Sequence, residues 1–373
     1  MKILQINKFY YPVIGGIEKT VQYMAEGIKG KEEVKVLVCQ PIGRTKIESI
    51  NGIEVIKAGS IGTFFSMPVS LSFFFWLRRL SKWADIFHFH LPFPLGVIFA
   101  LFTPFIFKKK VICTFHSEII RQSFFLPFYR PFSKKFLKRA NRIIVTSPNL
   151  LNSTKILKEF EKKCIVIPLG INPDEFELTG EIKERKEKIR EIYPGNLILF
   201  VGRLSYYKGV QYLLNAMQRI KAHLLIIGEG KLKNYLLKLA FKNLKLRNVT
   251  FLGKIPGEEI VAFYHACDIF VLPSIEKTEA FGLVLLEGMA CEKPVVSTNL
   301  ATGVRFVNVH EKTGIVVSPR DSEELAQAIN RLLKGPMLRE KYGRNGKKRV
   351  KGKFTKEIMI KSTLNLYRQV LNS

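Results

Sequence analysis

Short apolar runs recur through the first 170 residues, near 2–6, 34–39, 53–57, 85–90, 111–115, 142–146 and 164–168, with helical stretches between most of them. Strand-length apolar runs alternating with helices predict a parallel sheet buried on both faces. The rhythm stops between Ile171 and Tyr193. Asn172-Pro173-Asp174-Glu175 has turn chemistry, and Glu181 to Glu191 is a dense run of mixed charge, so a linker is expected over residues 173–193. Strands resume near 196–201, 223–228, 248–253, 269–273, 294–297 and 314–317, with helices after each of the first four and another from Asp321. The pattern predicts an α/β chain of two domains, residues 1–172 and 194–352, facing across a cleft, and a last amphipathic helix within 353–373.

One apolar stretch invites a different reading. Leu91 to Phe107 is uncharged and ends at Lys108-Lys109-Lys110, but its 17 residues include Pro92, Pro94 and Pro104. A spanning helix needs about 20 apolar residues. Strand-like segments flank it, so it reads as a buried crossover helix of a β/α unit. A chain of 373 residues with 47% hydrophobic content supports two cores. Cys39, Cys113, Cys164, Cys267 and Cys291 form no C-x-x-C pair and sit mostly in or beside apolar runs, as buried thiols of a reducing compartment do. Met1-Lys2 leads straight into a strand, leaving no room for a signal peptide, and a cytoplasmic location is expected.

The net charge of +29 calls for an anionic partner. Nucleic acid would fit the charge, but no helix-turn-helix, zinc-ligand spacing or RNP-like aromatic motif accompanies it, so no nucleic-acid partner is expected. Lys-rich surfaces also serve solubility and thermal adaptation. The distribution says more. Aromatics from Phe64 to Trp76 run into Arg78-Arg79, and those between Arg121 and Arg130 run into Lys134-Lys135 and Lys138-Arg139. Rings interleaved with cations suit the anionic inner face of a membrane; the alternative is that they fill the first domain's core.

Candidate chemistry clusters in the second half. Glu279 and Glu287 span the entry into a helix after the strand near 269–273, with Phe281 and Gly282 at the helix mouth, where backbone N–H groups lack helical partners. Eight positions cover about 12 Å if the segment is helical throughout, which suits a polyol at one end and a ribose at the other; a solvated pair on a helix is the alternative. Gly202-Arg203-Leu204-Ser205-Tyr206-Tyr207-Lys208-Gly209 hangs two cations from one strand-to-helix loop. A guanidinium fork and a mobile ammonium suit a diphosphate, although a surface loop can carry two unrelated cations. Gly15-Gly16 follows the first strand and lets a backbone approach a phosphate, without being the G-x-G-x-x-G fingerprint. His116 stands at the C-terminal end of a strand, where open α/β sheets collect ligands. His88 and His90 share a strand face but have no third ligand at metal spacing, and no D-x-D is present, so no metal is expected.

In this order the motifs resemble the retaining glycosyltransferases of family four, densest from Asn196 to Pro319. The resemblance implies the GT-B architecture of two Rossmann-like domains, with the C-terminal helix crossing back to the first, and a nucleoside-diphosphate sugar as substrate with no cofactor. It places Arg203 and Lys208 on the leaving diphosphate and Glu279 on the donor sugar. Phe281, Gly282 and Leu283 become backbone contacts, and Glu287 a ribose ligand. Gly202 belongs to the same loop, while Glu229, Lys254 and Ile255 fall where family members meet the nucleobase. Gly15 and Gly16, with Glu18 beside them, would face diphosphate and acceptor, and His116 the donor sugar. The wider pattern resembles mannosyl and rhamnosyl transferases of surface polysaccharide assembly, whose acceptors are glycans or lipid-linked glycans.

Overall fold

The computed structural model describes residues 1–13, 15–64, 67–118 and 126–373. It divides into two compact units, Met1–Gly170 with Lys356–Ser373, and Ile171–Thr355.

The first unit contains β1 (Lys2–Ile6), β2 (Glu33–Cys39), β3 (Lys46–Ile50), β4 (Ile53–Ala58), the two-stranded β5 (Gly62–Phe64) and β6 (Met67–Val69), then β7 (Ile86–Leu91), β8 (Lys110–Phe115), β9 (Arg142–Val145) and β10 (Cys164–Val166). Eight of these form one sheet in the order β10-β9-β8-β7-β1-β2-β4-β3. Only β3 runs antiparallel to its neighbour. Consecutive residues such as Val36, Leu37 and Val38 are buried because helices cover both faces. The chain fills the β2 side of β1 first and then returns to β7 on the other, so strand order reverses between β1 and β7. The C-terminal helix Lys356–Leu371 packs on helix Gly16–Ile28. Gly27 allows that approach, since a Cβ there would lie 2.2 Å from Ile360 Cδ1.

The second unit holds β11 (Leu197–Val201), β12 (His223–Ile227), β13 (Val249–Gly253), β14 (Ile269–Leu272), β15 (Val295–Thr298) and β16 (Gly314–Val317). Its sheet is parallel throughout, in the order β13-β12-β11-β14-β15-β16, and reverses between β11 and β14. This is the doubly wound Rossmann arrangement, whose ligands bind at the strand C-termini beside the reversal.

Two expectations need correction. Residues 173–193 are not a linker: they form a 3-10 turn, Pro173–Phe176, and a helix, Gly180–Ile192, inside the second unit. The helix buries Ile189 and pairs Arg190 with Asp268 at 3.0 Å, so the mixed charge is its solvent face. The units instead meet in sequence after Gly170 and again after Thr355. Within Leu91–Phe107 the helix is short, Pro94–Leu101, and a 3-10 turn Pro104–Lys108 follows. Pro104 cannot continue the helical ladder, and Phe102 and Phe105 come out 65% and 61% exposed rather than buried. Among the described residues no helix is long and apolar enough to cross a membrane.

Candidate functional site

In the second unit, the loops after β11, β12 and β14 are laced together by backbone contacts that only glycines allow. Gly209 has φ 68°, and a Cβ there would sit 2.0 Å from the Pro273 carbonyl oxygen; one at Gly228 would sit 2.0 Å from that of Gly202. The released space is used: Ile275 N–H donates to Tyr207 O at 2.8 Å, and Leu204 N–H donates to Glu229 O at 2.9 Å. Lys208 and Glu279 are thereby brought together. Lys208 Nζ lies 2.6 Å from Glu279 Oε2, with both residues only 8% exposed, and Ser274 Oγ donates to the same oxygen at 2.9 Å. Thr298 Oγ1 in turn donates to the Ser274 carbonyl. Burial alone would lower the pKa of the Lys208 ammonium, but the charge and hydrogen bond of Glu279 outweigh it, and the net direction is upward. Lys208 is a fixed cation.

Glu287 lies on helix Leu283–Ala290 and accepts a 2.7 Å hydrogen bond from the hydroxyl of buried Tyr264. Burial, then the Glu287 charge, pushes that hydroxyl well above its ordinary pKa, so Tyr264 remains a donor. Glu279 is not on this helix. It precedes Gly282, the left-handed N-cap (φ 78°), so the two carboxylates do not share one helical axis as the sequence spacing suggested. No side chain caps the helix; Leu285 N–H donates to Gly282 O at 2.9 Å, and the N–H groups before it are left for an anion or hydroxyl. Phe281 is buried edge-on against Phe354 at 6.0 Å, which leaves only its backbone for a ligand. Arg203 is exposed, Gly202 half-buried with φ 157°, Glu229 paired with Lys233 at 2.7 Å, Lys254 exposed and Ile255 half-buried. Gln211 Oε1 and Thr278 Oγ1 are buried and have no hydrogen-bond partner among the described residues. The sequence reading missed these two, together with Ser274 and Tyr264.

The first unit places a different set at its own reversal. Gly15 is extended (φ −169°) at the start of helix Gly16–Ile28, a backbone conformation that any residue adopts. A Cβ on Gly15 would be 2.2 Å from Glu18 Oε2, the far end of a flexible side chain that can move aside. A carboxylate thus already lies at this helix N-terminus, where the dipole favours it. His88, His90 and His116 are buried and linked rather than poised for metal. His90 Nδ1 is 3.0 Å from His116 Nε2, His90 Nε2 is 2.8 Å from Gln5 Oε1, and His88 Nε2 is 2.7 Å from Thr114 Oγ1. Burial drives all three imidazoles toward the neutral form, with His88 and His116 pushed down to about 3. Among the described residues no group of three or more His, Cys, Asp or Glu side chains could hold a metal ion.

The aromatic and basic segments divide between core and surface. Phe73 and Phe136 are core, whereas Phe75 and Phe128 are 67% and 69% exposed. Arg79 stacks on Trp76 at 5.0 Å, and Lys134 pairs with Glu159 at 2.5 Å. Phe65, Ser66 and the stretch from Ile119 to Phe125, part of the predicted membrane segments, lie outside the described residues, as does Ile14 of the Gly15 loop. All five cysteines are free thiols, four of them buried.

Residues 14–175 match the family described as Glycosyltransferase Family 4, and residues 181–349 match Glycosyl transferases group 1. O-antigen chain mannosyltransferase C of Escherichia coli is 31% identical over 376 residues, covering 100% of both chains. D-rhamnosyltransferase WbpZ of Pseudomonas aeruginosa is 34% identical, over 95% of this chain and 92% of its own. The crystal structure of Anabaena Alr3699/HepE in complex with UDP superposes with a TM-score of 0.82 at 18% identity, covering 99% of this chain and 100% of that one. A glycosyltransferase structure from Rickettsia africae gives 0.78 at 24% identity, covering 99% and 98%. The likeness to these structures is one of fold, two Rossmann-like units of the GT-B type.

Proposed function

This chain belongs to the glycosyl transferases of group 1 and family 4, and we propose that it moves a hexosyl group, mannose from GDP-mannose foremost, onto a polysaccharide or lipid-linked glycan at a membrane. The observation that carries the reading is the buried Lys208–Glu279 pair at the strand reversal of the second unit. Holding an ion pair out of water is costly unless further polar partners are supplied, and a donor would supply them: a diphosphate for the cation, sugar hydroxyls for the carboxylate. An ammonium has three hydrogens, so Lys208 can keep Glu279 while donating to a phosphate oxygen.

In the proposed reaction the bond between the anomeric carbon and the diphosphate oxygen breaks, and its electrons leave with the phosphate. Arg203 and Lys208 offset the developing charge, and the uncapped N-terminus at Gly282 adds its dipole. Their cations take the place of a divalent ion. The acceptor hydroxyl oxygen bonds to the anomeric carbon on the face just vacated, giving retention, and its proton passes to the departing phosphate. Glu279 holds donor hydroxyls and Glu287, steadied by Tyr264, the ribose. Neither is a nucleophile.

The mannosyl and rhamnosyl relatives favour a mannose-type donor and surface polysaccharide. A second reading, a UDP-sugar donor, is favoured by the UDP bound in the Anabaena structure. Exposed rings and cations of helices Leu71–Leu80 and Leu126–Arg139 support attachment of the first unit to an anionic membrane surface. A thermal-shift screen against GDP, UDP and ADP sugars tests the donor. GDP-mannose is expected to stabilise most; a larger shift with a UDP sugar would transfer the assignment, and no shift with any nucleotide would contradict the enzyme reading.

A further inference from the structure

The buried polar groups of the first unit form one connected path, and its polarity follows from which atoms carry hydrogen. Gln5 Oε1 carries none, so its 2.8 Å contact makes His90 Nε2 the donor. His90 is fully buried and neutral, held there by burial and then by its histidine neighbours. A neutral imidazole has a single N–H, so His90 Nδ1 is a lone pair and accepts from His116 Nε2 at 3.0 Å. His116 has then used its hydrogen. Its Nδ1 is a bare acceptor, buried and without a hydrogen-bond partner among the described residues. At the far end Gln5 Nε2 donates to Tyr367 Oη at 3.0 Å, the orientation that turns the amide oxygen to His90. The phenol hydrogen turns to His88 Nδ1, and His88 Nε2–H is left for Thr114 Oγ1.

We propose that Tyr367, Gln5 and His90 are positioning residues that lock His116 in the Nε2–H tautomer, making its Nδ1 an obligate acceptor for a substrate hydroxyl. The lock has a chemical consequence. An imidazole free to exchange tautomers could donate to a carbonyl or phosphate oxygen as readily as it accepts from a hydroxyl; a locked one admits only groups that carry hydrogen. The unit would thereby discriminate for the hydroxyl face of a sugar against anionic groups. That hydroxyl belongs either to the donor sugar or to the acceptor glycan, chemically alike at this atom. The substrate half of the inference rests on the glycosyltransferase reading, but the tautomer requires no substrate and stands or falls separately.

Long-range 1H–15N correlation of the imidazoles in full-length, 15N-histidine-labelled protein at neutral pH reads the tautomer directly. His116, assigned by the signal lost in His116→Asn, is expected with hydrogen on Nε2 and none on Nδ1; hydrogen on Nδ1, or on both, overturns the proposal whatever the enzyme does. Tyr367→Phe keeps the ring and removes the hydroxyl that orients Gln5. It is expected to mix the tautomers and lower kcat about tenfold while GDP and UDP affinity stays unchanged; a single tautomer with unchanged kcat would strip Tyr367 of the role. His116→Asn keeps an acceptor near the Nδ1 position and His116→Gln near Nε2, so Asn should retain more activity, and the opposite order would contradict the geometry. A rise in KM for the sugar nucleotide in these variants locates the hydroxyl on the donor, and a rise for the glycan locates it on the acceptor.

Discussion

The two units share a parallel doubly wound sheet and a strand reversal, yet fill that reversal with opposite chemistry. The second unit places a charged pair there, Lys208 with Glu279, fixed by glycine-enabled loop contacts and by Ser274. The first places uncharged groups there, Gln5, Tyr367, Thr114 and three neutral histidines, connected by directional hydrogen bonds. The contrast follows from what each would meet. A leaving diphosphate needs permanent charge, whereas a hydroxyl needs an oriented acceptor without net charge. One fold can supply both because the reversal fixes only where a ligand sits, and the side chains there decide what it is.

The comparison breaks most visibly at Lys208. Lys208→Ala should lower transfer by about 2 to 4 kcal/mol in barrier and, by leaving Glu279 buried and unpaired, destabilise the second unit by about 3 to 5 kcal/mol. Exposed Arg203→Ala should lower transfer similarly but change stability by only about 0.5 kcal/mol. Urea unfolding beside steady-state transfer separates the effects; equal stability loss in both variants would dissolve the distinction between a buried and a free cation.

Next in size is acid. His88 and His116 are held down to about 3 by burial, against an ordinary value of 6.5. A depressed histidine pKa means the unfolded chain binds the proton first, so stability is full above pH 6.5 and is lost as pH falls from there toward 3. Each should cost about 2 kcal/mol between pH 7 and pH 5. His90 adds in the same direction. Chemical unfolding at the two pH values checks this, and stability unchanged at pH 5 would mean that these imidazoles are not buried neutral.

Smallest per residue is the membrane term, about 1 kcal/mol for each cation near an anionic surface. Charge reversal at Lys134, Lys135, Lys138 and Arg139 should release the protein from anionic liposomes in cosedimentation, as should high salt. Undiminished binding would assign these residues elsewhere.

Much of this was legible in the sequence, and what was not shares a cause. The parallel strands of both sheets, the loop at Arg203 and Lys208 and the helix entry at Gly282 announce themselves by local pattern; the antiparallel edge strand β3, Lys46–Ile50, with no buried residue, did not. The helix Gly180–Ile192 did not, because Ile189 is its only buried residue and most of the others are charged. The partnership of Lys208 with Glu279 joins residues 71 positions apart, and that of Tyr264 with Glu287 joins residues 23 apart. No spacing rule reaches so far. His88 and His90 were visible as one face of a strand, but their partners Gln5 and Tyr367 come from near opposite ends of the chain, and only the fold collects them.

Calorimetric titration of GDP and UDP into wild type, Arg203→Ala, Glu287→Ala, Glu279→Ala and His116→Ala tests the division most directly. One nucleotide should bind wild type, and Arg203→Ala and Glu287→Ala should each weaken it about tenfold, or roughly 1.4 kcal/mol. Glu279→Ala and His116→Ala should bind it normally while transferring sugar poorly. Binding of neither nucleotide, or equal weakening in Glu287→Ala and His116→Ala, would contradict a donor site housed in the second unit.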